Sequence, residues 1–190
     1  MVAGGILAGC AGETGDGGTA DEPVDTGGVV VAEDSAVRGG GAQAPAGPSL
    51  RADGIGDIEV GISLVDATDR AGTAPVDPDA GAECRYVTFP TLPDGVSLMV
   101  IRDTVRRVDV DSPDVLTDRG AGIGMTTARV VELYRAGLEH MPHKYEPDGE
   151  YLVVAGTRSD TRLVLETALD TVRTMHAGLM PEVMWVERCG

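Results

Sequence analysis

Lysine and aromatic residues are scarce in this chain of 190 residues, with one lysine, Lys144, and 3% aromatics. So few rings leave Val, Leu, Ile, Met and Ala to fill the core. The formal net charge of −16 excludes duplex nucleic acid as a partner, because phosphate binding needs clustered cation. It disfavours anionic headgroups too. No apolar run is long enough to span a bilayer. Three cysteines without a CxxC spacing exclude a zinc ribbon and a thioredoxin-type centre. The chain also lacks a Gly-x-Ser-x-Gly elbow and a phosphate loop, and Gly54, Gly56 and Gly61 miss the dinucleotide spacing.

What is present begins with "MVAGGILAGC", an uncharged apolar run ending in Leu7-Ala8-Gly9-Cys10. That ending resembles the lipobox of bacterial lipoproteins, in which a peptidase cuts before a lipid-modified cysteine. The resemblance implies that residues 1–10 are a truncated lipoprotein signal segment and that Cys10 carries the acyl group. From Ala11 the chain is rich in Gly, Ala, Asp, Glu and Pro, with seven acidic residues and one basic, Arg38, before Leu50. Such a composition buries too little apolar area to offset its ordering entropy. Residues 11–53 therefore read as a disordered acidic tether, and 54–190 as the folded domain.

Asp-Thr-Val-Arg occurs twice in that domain, at Asp103–Arg106 and at Asp170–Arg173. Upstream, "IEVGISLVDATDRAG" from Ile58 resembles "AGIGMTTARVVELYRAG" from Ala121, with Gly61 matching Gly124. Matches in the same order imply a duplication, with repeats at about 54–118 and 119–180. Each unit reads as a glycine, an N-cap at Ser63 or Thr126, a short helix, and then antiparallel strands. Leu64, Val65, Thr68 and Ala71 make the apolar face of the first helix, and Ala128, Val131 and Tyr134 that of the second. The hairpins turn at Arg102-Asp103-Thr104 and Ala168-Leu169-Asp170, after which the Val of the tetrapeptide faces the core and its Arg the solvent. Earlier strands are expected at Cys84–Phe89 and Glu150–Gly156. A last strand, "PEVMWVERC", closes the sheet. The fold class is α+β, with both helices on one sheet face.

The Gly-Ile-Gly-Met-Thr-Thr-Ala-Arg-Val-Val-Glu-Leu-Tyr stretch from Gly122, with its weaker copy, resembles the β-lactamase-inhibitory-protein fold and small SmpA/BamE-type lipoproteins. The run "PHKYEPDGEYLVV" from Pro142, with "LVLET" and "PEVMWVERCG", is similar to an uncharacterised family of predicted lipoproteins in high-GC Gram-positive bacteria. That likeness implies an envelope location and no assigned activity.

With Cys10 lipidated, Cys84 and Cys189 remain as an even pair suited to one disulfide; two buried free thiols are the alternative. Candidate chemistry centres on "EHMPHKYE". His140 and His143 have the i, i+3 spacing of a helical zinc pair, although Pro142 between them interrupts a helix. They are weak metal candidates, with exposed loop histidines as the other reading. His176 reads as a sheet residue. Tyr145, Trp185 and Tyr151, together with Tyr86 and Phe89, are the candidate binding aromatics, because aromatic side chains dominate interface hot spots. Core packing is the alternative for each. The expected function is a lipid-anchored extracytoplasmic module that binds an envelope protein or polymer without a cofactor. The alternative is an envelope hydrolase or metal-dependent enzyme using the His140/His143 loop.

Overall fold

The computed structural model describes residues 47–189. The signal segment with Cys10, and the acidic stretch as far as residue 46, lie outside the described residues. A three-stranded meander comes first: β1 (Leu50–Arg51), β2 (Gly54–Ile55) and β3 (Ile58–Glu59). Leu50 and Ile55 are fully buried, so the packed structure starts ahead of the expected Gly54. Next come α1 (Leu64–Ala71), β4 (Cys84–Val87), β5 (Val96–Ile101) and β6 (Thr104–Val110). They are followed by α2 (Thr127–Tyr134), β7 (Leu138–Pro142), β8 (Glu150–Ala155), β9 (Thr161–Ala168) and β10 (Thr171–Leu179). The large sheet is antiparallel throughout, in the order β4-β5-β6-β10-β9-β8-β7. An α+β fold is observed.

The two tetrapeptides occupy the same position in matching hairpins. Each turn has two residues with left-handed backbone, Arg102–Asp103 (φ 48 and 57) and Leu169–Asp170 (φ 49 and 58). That is the conformation whose twist matches paired strands, and Asp tolerates it better than most residues. The expected three-residue turns are thus one residue shorter, and in phase with each other. Val105 and Val172 are fully buried, as the alternation requires. The register then shifts in both hairpins at the arginine, where Arg106 and Arg173 are each the unpaired residue of a bulge.

The equivalence extends to the helices. Gly61 N donates to Val105 O at 2.7 Å and Gly124 N to Val172 O at 2.9 Å; Val105 N returns to Ile62 O and Val172 N to Met125 O, both at 2.9 Å. Leu64 N and Thr127 N donate to the turn residues Asp103 and Asp170. Both glycines have positive φ (92 and 87), a backbone that a side chain would strain. Ser63 Oγ accepts from Asp66 N, and Thr126 Oγ1 from Arg129 N. These caps satisfy amides that the first helical turn leaves unpaired.

The helix faces are rotated from the expected ones. Val65 is 70% exposed and Val131 37%, whereas Ala67 and Val130 are fully buried. The buried stripes run through Leu64, Ala67 and Ala71 in α1, and through Val130, Leu133 and Tyr134 in α2. They pack with Leu98, Val100, Val108, Leu163, Leu165 and Met175 of the sheet and with the small meander in one apolar core.

The C-terminal segment is not a strand. After β10 the chain forms a short 3-10 turn at Glu182–Met184 and runs on as bends to Cys189. The reason is topological. β10 already pairs with β6 on one side and β9 on the other, which leaves the following residues no free edge beside it. They cross the sheet face opposite the helices, where Val183 is fully buried against Tyr151, Val153 and Val164. Cys189 bonds Cys84 at the start of edge strand β4, with Sγ–Sγ 2.03 Å and Cα–Cα 5.6 Å. Residues 180–189 thus form a strap held at both ends.

Candidate functional site

The site is built on the sheet face that the strap crosses. Strand alternation sends Val108 and Val110 of β6 to the helix side, and Arg107 and Asp109 to the strap side. Both charged residues are buried, at 2% and 0% exposure. Arg107 Nη2 donates to Asp109 Oδ1 at 2.7 Å and its Nε reaches both carboxylate oxygens, while Nη1 donates to the Trp185 carbonyl at 2.6 Å. A buried ion pair is tolerable only when its remaining donors are also satisfied, and here the strap backbone helps to satisfy them. Tyr86 Oη donates to Asp109 Oδ2 at 3.1 Å. Burial, and then the Asp109 charge, pushes the Tyr86 phenol far up. The strap adds charged contacts of its own. Arg106 Nη2 bonds Glu182 at 2.7 Å, and Arg188 lies 3.9 Å from Asp109 and 3.6 Å from Asp111.

Farther along the same face, His176 on β10 stands opposite Asp109 on β6 and Val164 on β9. It is a sheet residue, as expected, and 3% exposed. Glu166 on β9 lies between two histidines. His176 Nδ1 is 3.4 Å from its Oε1, and His143 Nε2 is 3.3 Å from its Oε2. Only the His143 contact has hydrogen-bond geometry. The His143 ring stacks on Tyr151 with centroids 4.4 Å apart, and its Nδ1 accepts the Tyr145 and Glu146 amides at 3.2 and 3.0 Å. An Nδ1 that accepts requires the proton on Nε2, so His143 is assigned as the donor to Glu166.

His140 and His143 are not assembled as a helical pair. Residues 138–142 are edge strand β7, and His140 Nδ1 is 2.8 Å from Glu150, a different carboxylate. Among the described residues, no group of three or more His, Cys, Asp and Glu side chains is placed to hold a metal ion.

The candidate binding aromatics divide. Tyr151 is 7% exposed and packs under the strap, and Phe89 is 3% exposed in the main core. Tyr145 and Trp185 are 56% and 41% exposed. Tyr145 is tied to the strap that carries Trp185, because its Oη donates to Glu187, and Lys144 sits 4.8 Å over the Tyr145 ring and 3.6 Å from the same Glu187. Beside them is an open groove of ≈ 510 Å³ lined by Lys144, Met184, Trp185, Val186, Glu187 and Arg188. On the helix side, a smaller cleft of ≈ 230 Å³ includes Arg51, Asp53, Asp118, Arg119 and Tyr134. There Asp53 already accepts from Thr157 and Thr161, and burial pushes the Tyr134 phenol up to about 12.

Reading the sequence missed the buried Arg107–Asp109 pair and Glu166. The signal was the charge alternation of "VRRVDV", but charges on one strand face ordinarily mean solvent. Compared with protein-family models, with curated proteins and with solved structures, the chain matches none.

Proposed function

We propose that this protein is an extracytoplasmic binding module, tethered to the membrane through an acyl group on Cys10, that presents Trp185, Tyr145 and the adjoining groove to an envelope protein or polymer. The Cys84–Cys189 disulfide carries the reading. Such bridges persist in oxidising compartments, and this one anchors the segment that bears Trp185. Half-exposed aromatics beside mixed charge are what a binding surface offers, because they supply contact area with few rotamers to freeze. The sequence, with a lipobox-like ending before an acidic stretch, supports the tether. A hydrolase built on His140 and His143 has less support, since their ring nitrogens serve different carboxylates.

The matched hydrogen bonds around Gly61 and Gly124, and the bulges at Arg106 and Arg173, support reading the two halves as copies of one ancestral unit. They also favour the resemblance to the β-lactamase-inhibitory-protein and SmpA/BamE-type layouts, from which no activity follows.

The test is proximity cross-linking in a native-like host. Wild type is expected to capture a partner, and Trp185→Ala with Tyr145→Ala to lose at least tenfold of it at unchanged thermal stability. Equal capture by the variant would remove the groove from the proposal. Acyl labelling that is the same in wild type and Cys10→Ala would remove the tether.

A further inference from the structure

His176 and Arg106 each bring a buried, unpartnered nitrogen to the strap face, and of the two only the histidine can exchange a proton near neutral pH. His176 is almost wholly buried, and its Nδ1 has no hydrogen-bond partner, although it lies 3.4 Å from a Glu166 oxygen. The Val183 segment covers the ring from the strap side. Charged and titratable groups surround it on each packed element: Arg107 and Asp109 on β6, Glu166 on β9, Glu182 and Arg188 on the strap, and His143 beyond Glu166. Burial first, and then the Arg107 guanidinium, hold the imidazole well below the ordinary histidine range, so it is neutral under the closed strap. A charged ring there would have to shed its water beside Arg107, the penalty that ordinarily keeps a buried histidine neutral.

We propose that the strap is an acid-released latch: a proton taken up by His176 lifts the Val183 segment off the sheet, while the Cys84–Cys189 bridge keeps the lifted strap attached. Lifting hydrates His176 and uncovers Tyr151, Val153 and Val164, the apolar patch that Val183 now covers.

The sign follows from linkage. In the open state His176 titrates near about 6.5, whereas in the closed state it resists protonation, so the open form binds more protons. Closure is therefore strongest above about pH 6.5. It weakens about tenfold per pH unit below that, until the closed-state ring itself begins to titrate. The latch does not depend on the identity of any partner and stands apart from the binding proposal.

The full oxidised chain supplies its own reporter, because Trp185 is the only tryptophan. Between pH 7.5 and 4.5, Trp185 emission and amide exchange at residues 181–187, corrected for intrinsic rates, are expected to report an opening constant that rises with a slope of one proton. His176→Gln should flatten that slope while β5 and β6 stay protected; a slope unchanged in this variant would overturn the proposal. Should His176→Gln not fold, carbon chemical shifts of the His176 ring in wild type decide. A ring that titrates together with the Trp185 emission supports the latch, and one that takes its proton with the strap still docked overturns it.

Discussion

The two faces of the large sheet are built by opposite rules. On the helix side, Val, Leu, Ile and Met close around two short helices and a small meander, and the contact is almost entirely apolar. The strap side is covered by a short segment carrying one well-buried apolar anchor, Val183, and is otherwise held by charge-assisted hydrogen bonds through Arg106 and Arg107 and by longer ion pairs through Arg188. The first arrangement is non-directional and tolerates small shifts. The second depends on particular atoms meeting, and on a covalent bond to keep them there. Such a face can respond to conditions that leave the other unchanged, which is why both the binding and the switching proposals fall on it.

Removing one partner of the buried pair should break the contrast most severely. Asp109→Ala leaves Arg107 charged and uncompensated beneath the strap, and about 3–5 kcal/mol of stability should be lost in chemical denaturation. Cutting the bridge with Cys84→Ser and Cys189→Ser comes next, at about 2–5 kcal/mol. Hydrogen exchange should then rise first at residues 181–188 and only later around Val130 and Leu165, sharpening the distinction between the faces. Simultaneous exchange on both would mean that the two faces unfold as one. The smallest effect compares the two turns. Asp103 carries a hydrogen bond from Arg85 at 2.6 Å, whereas the Asp170 backbone has the same left-handed conformation without that ion pair among the described contacts. Asp170→Gly should be neutral or mildly stabilising, because glycine adopts the turn freely. Asp103→Gly should lose up to about 1 kcal/mol, the scale of a partly exposed pair, as read from paired melting curves.

The hairpins were legible in the sequence because their determinants are local. A short polar residue at a left-handed turn, followed by alternating apolar positions, can be recognised without knowing what lies across the sheet. The disulfide was legible as an even pair of cysteines. The strap was not, because "PEVMWVERC" has the alternation of a strand and only the crowded position of β10 denies it an edge. β7 was missed for a related reason. An edge strand with Pro142 and four exposed positions pairs through its backbone and shows no apolar period. The rotated helix faces reflect an eight-residue span, in which one misplaced residue moves the inferred stripe by a quarter turn. As for the site, Tyr145 and Trp185 could be named as aromatics, but the bond from Tyr145 to Glu187 of the strap is tertiary. His176, Glu166 and Asp109 looked like ordinary strand residues because nothing local records that a cover lies over them.

The bridge between Cys84 and Cys189 also has a mechanical meaning. Tension applied between the residues ahead of Leu50 and the C-terminal end would follow the covalent chain to Cys84 and cross directly to Cys189. Strands β5 to β10 would hang as a side loop outside the load path, and only the meander, α1 and the segment leading to β4 could extend. For a domain pulled from its two ends, the disulfide acts as a mechanical fuse in reverse, sparing the seven-stranded sheet and directing all the extension into the first helix and its surroundings.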